Sequence, residues 1–142
     1  MSDRALEVAA WILVAIGLAV AGYLTWVHYA GLDPVCVGGG GGCERVQSST
    51  YADLGGVPVA LLGLGGYATI AVTLVGRVDS ARLLGALLGL VGFGFSAYLT
   101  YVELAVIDAV CQWCVASAVT MTFLGAVLVA RALRPTPPPR AR

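Results

Sequence analysis

The sequence predicts an all-α membrane protein, a four-transmembrane-helix bundle with one outer loop that carries cysteines. Composition and hydropathy patterning carry that prediction. The chain has 142 residues, of which 59% are hydrophobic and only 11% charged, and its mean hydropathy is +0.90. It contains four uncharged stretches, Val8–Leu32, Leu54–Gly76, Leu83–Val102 and Ala109–Ala130, of 25, 23, 20 and 22 residues. Each exceeds the ~18 apolar residues that read as a membrane span. One such run fits a buried helix of a water-soluble core; four in so short a chain do not. The length fits one domain, residues 1–134, ahead of a short Pro/Arg-rich segment at 135–142. All eight basic residues are Arg and the formal net charge is zero, which excludes a broad basic surface for nucleic acid.

The first stretch, preceded by Arg4, is longer than the apolar core of a cleaved leader and reads as a retained helix. A polar loop at 33–53 follows, with Asp33, Glu44 and Asp53. The second and third stretches are joined by "GRVDSAR", which holds Arg77 and Arg82. A short turn at 103–110, with Glu103 and Asp108, leads to the fourth stretch, after which come Arg131, Arg134, Arg140 and Arg142. Arg45 is the lone arginine on the other side. Cationic residues accumulate on the cytoplasmic side of membrane proteins, so both termini are expected there and the cysteines on the outer face. The tail "RPTPPPRAR" cannot continue a helix and is expected to be disordered and cytoplasmic.

Four cysteines, Cys36, Cys43, Cys111 and Cys114, then fall on one oxidising face, where disulfides form and persist. Cys111-Gln112-Trp113-Cys114 is a C-x-x-C opening the fourth helix. Helix N-termini stabilise thiolates, and a short-loop disulfide there exchanges readily. Cys36 and Cys43 bracket five consecutive glycines, Gly38 to Gly42. As a structural staple that C-x6-C would contribute about 2.5 kcal/mol in the chain-entropy picture, but a staple needs no flexible insert. Metal ligation is the other alternative; one spacing is too wide, and the only histidine, His28, lies near the end of the first helix. Two dithiols near each other can instead pass electrons by exchange.

A faint internal repeat links the halves. Tyr23-Leu24-Thr25 matches Tyr98-Leu99-Thr100, and the tyrosines precede Cys36 and Cys111 by the same interval. It would set His28 and Glu103 at matching depths near the outer interface, where solvation of both is the plain expectation.

These motifs, in this order, resemble the vitamin K epoxide reductase family, in particular its small bacterial members. The resemblance rests on Cys36-x6-Cys43, then "CERVQSSTYADLGGVPVALLGLGGY", then "CQWC". It covers nearly the whole chain ahead of the tail. Another family of disulfide oxidases with four helices has its C-x-x-C in the first outer loop; here the order is reversed. The resemblance implies a thiol:quinone oxidoreductase in the bacterial plasma membrane, with menaquinone or ubiquinone bound within the bundle. Cys111 and Cys114 would be the redox centre, with Cys114 facing the quinone and Cys111 exchanging with the loop. Ser49 matches a serine near the quinone, and Gly55 to Ala60, including Val57 and Pro58, matches the segment beside the pocket. Tyr51 and Trp113 are expected to cap it, although both residue types also favour the interface for its own sake. The tyrosine that vertebrate members carry four residues after the second active-site cysteine is replaced by Ala118, a departure that weakens any expectation of epoxide chemistry. Some members carry a fused thioredoxin-like domain. Here that partner, a reduced DsbA-type protein outside the membrane, is expected to be a separate chain. Its electrons would enter at Cys36–Cys43, either loop cysteine being able to meet it with Cys36 preferred, and leave through Cys111–Cys114.

Overall fold

The computed structural model describes residues 1–135. The tail expected to be disordered lies, Arg134 and Pro135 apart, outside the described residues. Helix α1 runs Asp3–Ala30. Its first turn is capped by the Ser2 hydroxyl, which accepts from the Ala5 amide at 3.2 Å. Gly31, in the left-handed region at φ 65°, closes its end on the carbonyls of Val27 and His28. The loop that follows contains a six-residue helix α2, Gly42–Gln47. A 3-10 turn at Thr50–Ala52 leads into a minimal hairpin, strands β1 (Asp53–Leu54) and β2 (Val57–Pro58). Gly55 and Gly56, both at positive φ, make its two-residue turn.

That hairpin explains a difference from the hydropathy reading. The second apolar stretch was expected over Leu54–Gly76, yet helix α3 spans only Val59–Val75. Pro58 has no amide hydrogen and an extended backbone at ψ 133°, so the helix starts after it. At 1.5 Å per residue α3 is about 25 Å long, shorter than the ~30 Å hydrocarbon layer. Helix α4 covers Asp79–Val102, beginning ahead of the expected Leu83 with Asp79 in its first turn. It runs on as a π-helical turn, Glu103–Ile107, which ends at Asp108 in the left-handed region, φ 53°. Helix α5 covers Gln112–Ala132. α1, α4 with its π turn, and α5 are long and apolar enough to cross a membrane; α3 is the shorter fourth member.

The four helices form a ring in which α1 and α4 each pack on both α3 and α5. Val14, Tyr67, Ile70, Leu124 and Leu128 are core residues between α1, α3 and α5. The α4–α5 crossing is close because Gly89 faces Gly125, backbone against backbone. Val72, Leu87 and Phe123 point outward, as lipid-facing residues do where burial between helices has no hydrophobic advantage over lipid. At the end of the bundle that holds Met1 and the end of α5, the Arg82 side chain donates to the carbonyls of Arg131 and Arg134, and Arg134 pairs with Asp3 at 3.0 Å. The cysteines occupy the opposite end, in a small separate cluster of Cys43, Val46 and Cys111.

Candidate functional site

Cys36 and Cys43 are joined by a disulfide, with Cα atoms 6.0 Å apart; Cys111 and Cys114 are free thiols. Cys43 lies in the first turn of α2 and is 0% exposed, as is Cys111. The two pack in one cluster with Val46, and Cys36, Trp113 and Cys114 flank it. The glycine run has a steric reason here. A Cβ on Gly42 would collide with the Val110 carbonyl, so only glycine lets α2 begin against the turn that precedes Cys111.

Cys111 is the N-cap of α5, and its Sγ accepts from the Cys114 amide at 3.4 Å. Its own amide donates to the Glu103 carboxylate at 3.1 Å. The hydrogen bond from the Cys114 side chain brings the Cys111 thiol down to about 7, against the opposing effect of burial. Cys114 accepts from the Gln47 side-chain amide, Nε2 to Sγ, at 3.6 Å.

Cys114 also lies on the wall of a cavity of about 280 Å³ enclosed by all four long helices and roofed by α2. The wall is largely apolar, with Val20, Leu24, Leu88 and Phe95 among its residues, and polar groups come from Gln47, Ser49, Tyr67, Glu103 and Ser117. That size is close to the lower end of the ~300–1,000 Å³ of small-molecule pockets, and the mix of apolar wall and few polar groups is typical of them. Such a cavity, with a thiol on its wall, fits a flat, apolar quinone ring with two carbonyl acceptors. Among the described residues no group of three or more His, Cys, Asp or Glu side chains is arranged to hold a metal ion.

Of the residues expected at the pocket, Ser49, Tyr51 and Cys114 lie on its wall. Val57, Pro58 and Trp113 do not. Val57 and Pro58 are held in the hairpin, and the wall at that point is made by Val59 and Ala60, the first two residues of α3. Trp113 turns the other way: its Nε1 donates to the Val35 carbonyl at 2.8 Å and its ring lies 4.8 Å from that of Tyr23. Ala118 is on the wall, and the cavity does contain a phenol, from α3: Tyr67, whose hydroxyl lies 3.0 Å from the Ser117 carbonyl. The expectation that Glu103 is solvated at the interface is overturned. Glu103 is 4% exposed, because the π turn and the left-handed Asp108 fold the chain back over it. His28, its supposed counterpart, stays half-buried near Asp53. Gln47 was also missed; its place four residues after Cys43 puts both on one face of α2.

A helical membrane bundle with a C-x-x-C at the mouth of an apolar cavity, and a disulfide packed against it, defines a membrane-embedded disulfide redox protein. A sequence model of the Vitamin K epoxide reductase family matches residues 8–129. The chain belongs to that family, and with it to the oxidoreductases whose disulfide chemistry is linked to quinone.

Proposed function

We propose that this protein is a thiol:quinone oxidoreductase that reoxidises a separate thioredoxin-like, DsbA-type thiol oxidase outside the bacterial plasma membrane. One observation carries the reading: Cys43 and Cys111 are buried in one small cluster with Val46, while Cys114, one helical turn on, faces the cavity. A relay across two cysteine pairs needs that order. The partner's thiolate attacks the Cys36–Cys43 disulfide, and Cys36 is the half-buried member within its reach. The mixed disulfide resolves and leaves two loop thiols. Cys43 then attacks Cys111 Sγ, breaking the bond to Cys114, and Cys36 releases Cys43 from Cys111 by re-forming the loop disulfide. A bound menaquinone or ubiquinone would supply the acceptor of two electrons and two protons. Ser49, Tyr51 and Cys114 would hold its ring, with the Gln47 side-chain amide as a hydrogen-bond donor within the same wall. Gln47 steadies Cys114, and the apolar wall excludes water that would otherwise compete for the thiolate.

Purified protein, menaquinone or ubiquinone, and a reduced thioredoxin-like protein test this. Wild type is expected to form quinol, and Cys114→Ser to fall to background while keeping its helix content. Cys36→Ser is expected to lose turnover with the partner. Equal quinol formation by wild type and Cys114→Ser would sink the proposal.

A further inference from the structure

Glu103 is the one carboxyl on the cavity wall. The other titratable groups there are Cys114 from α5, Tyr67 from α3 and Tyr51 after α2; α1 contributes only Val20, Ala21 and Leu24. Among the described residues no Arg or His lies within ion-pair distance of Glu103. A carboxylate buried without a cation is costly to keep unless something fixes it there or uses it. The backbone fixes it. The Glu103 carbonyl accepts from the Ala109 amide at 3.1 Å, and its side chain accepts from the Cys111 amide, so it is pinned beneath the C-x-x-C turn. Cys114 shares the cavity wall with it. π turns inside helices are often found at functional sites, and this one starts at Glu103.

We propose that Glu103 is the proton carrier of the Cys111–Cys114 pair. The inference rests on that pair being redox-active. When an attacking thiolate forms a bond to Cys111 Sγ, the Cys111–Cys114 bond breaks and its electron pair stays on Cys114 Sγ. Glu103 gives its carboxyl proton to that sulfur and becomes a carboxylate. When the disulfide closes again, the Cys114 proton returns to Glu103 as the sulfur's electrons enter the new bond or leave to the acceptor. Over one opening and closing the carboxyl gives one proton and takes one, so it ends as it began. Of the wall's titratable groups, a carboxyl is the one whose ordinary range lies well below that of a thiol or phenol, so it can both give and take a proton near neutrality once its surroundings change.

The test uses full-length, quinone-free protein, so it does not depend on which quinone or partner is used. The Cys111–Cys114 disulfide is opened with dithiothreitol, and the infrared difference spectrum between disulfide and dithiol states is recorded. Wild type is expected to show a buried carboxyl band that changes with redox state, and Glu103→Gln to lack it. Gln keeps an oxygen for the Cys111 amide, so a purely structural role survives that change. Glu103→Gln is further expected to slow opening at neutral pH by about 100-fold, the usual scale of general acid catalysis, and to flatten its pH profile; Glu103→Asp should restore part of both. A redox-silent carboxyl region in wild type overturns the proposal, whether or not the variant folds. So does a slower Glu103→Gln whose pH profile matches wild type. Loss of quinol formation elsewhere in the relay would leave the infrared band intact, which separates failure of this inference from failure of the functional reading.

Discussion

At Cys111 the sequence position and the electrostatics point the same way. Its thiol is fully buried, which alone would favour the neutral form, yet it caps a 21-residue helix and receives hydrogen bonds from the Cys114 side chain and amide. The hydrogen bonds win, and the folded value is about 7, below the ordinary thiol value of 9.0. The sign of the stability effect follows. In the protein with a reduced C-x-x-C, the stabilisation is complete above the ordinary thiol range and is lost as pH falls through about 7. Thiolate absorbance, measured with the loop disulfide intact, is therefore expected to titrate near 7. Cys114→Ala removes the largest contribution and should move the midpoint upward. A midpoint that stays put in that variant would show that the helix terminus, not Cys114, sets the acidity.

At the scale of elements, the two residues between the cysteines tie the loop to the bundle. The Gln112 side chain accepts from the Val37 amide at 3.0 Å and donates to the Val37 carbonyl at 2.6 Å, as a neighbouring strand would. Trp113 holds the Val35 carbonyl, and the Tyr23 hydroxyl on α1 accepts from the Val35 amide at 3.0 Å. The segment beside Cys36 is thus fastened on both sides. Gln112→Ala deletes two hydrogen bonds at an exposed site, worth about 1 kcal/mol in sum. Amide exchange at Val37 is expected to quicken several-fold and reduction of Cys36–Cys43 by dithiothreitol to speed up with it. Unchanged protection at Val37 would mean that Trp113 and Tyr23 hold the loop alone. The roles of Gln112 and Trp113 were hidden in the sequence, where a Gln and a Trp at a membrane surface read as solvated and interfacial. The same holds for Glu103 and Tyr67. Apolar runs, capping residues and cysteine spacing are local signals and were legible. Burial of a carboxyl depends on a π turn bending the chain over it, and a tyrosine's reach across the bundle depends on which helix it meets; neither is written in a local pattern. Val57 and Pro58 are paired in a two-glycine hairpin and are not among the residues of the wall, which a local pattern does not show either.

Taken whole, the molecule separates most of its arginines from its cysteines. Arg82, Arg131 and Arg134 gather with Met1 at one end, and the four cysteines and the cavity roof lie at the other. Among the described residues Arg45 is the one arginine at the cysteine end, beside the glycine loop. Arginine is retained on the cytoplasmic side during insertion, so the bundle should stand with its termini inside and its cysteines outside. The proposed relay calls for the same orientation, because disulfides form and persist in oxidising compartments. Single cysteines at two exposed positions test it: Leu54→Cys in the hairpin and Val78→Cys in the α3–α4 link. In intact cells, a membrane-impermeant maleimide is expected to label Leu54→Cys above the wild-type background. Val78→Cys should label only after the membrane is permeabilised. The opposite pattern would put Cys36 and Cys43 in the reducing cytosol. It would leave the buried Cys43–Cys111 cluster without an oxidised loop to serve, and with it the case for an outward-facing relay.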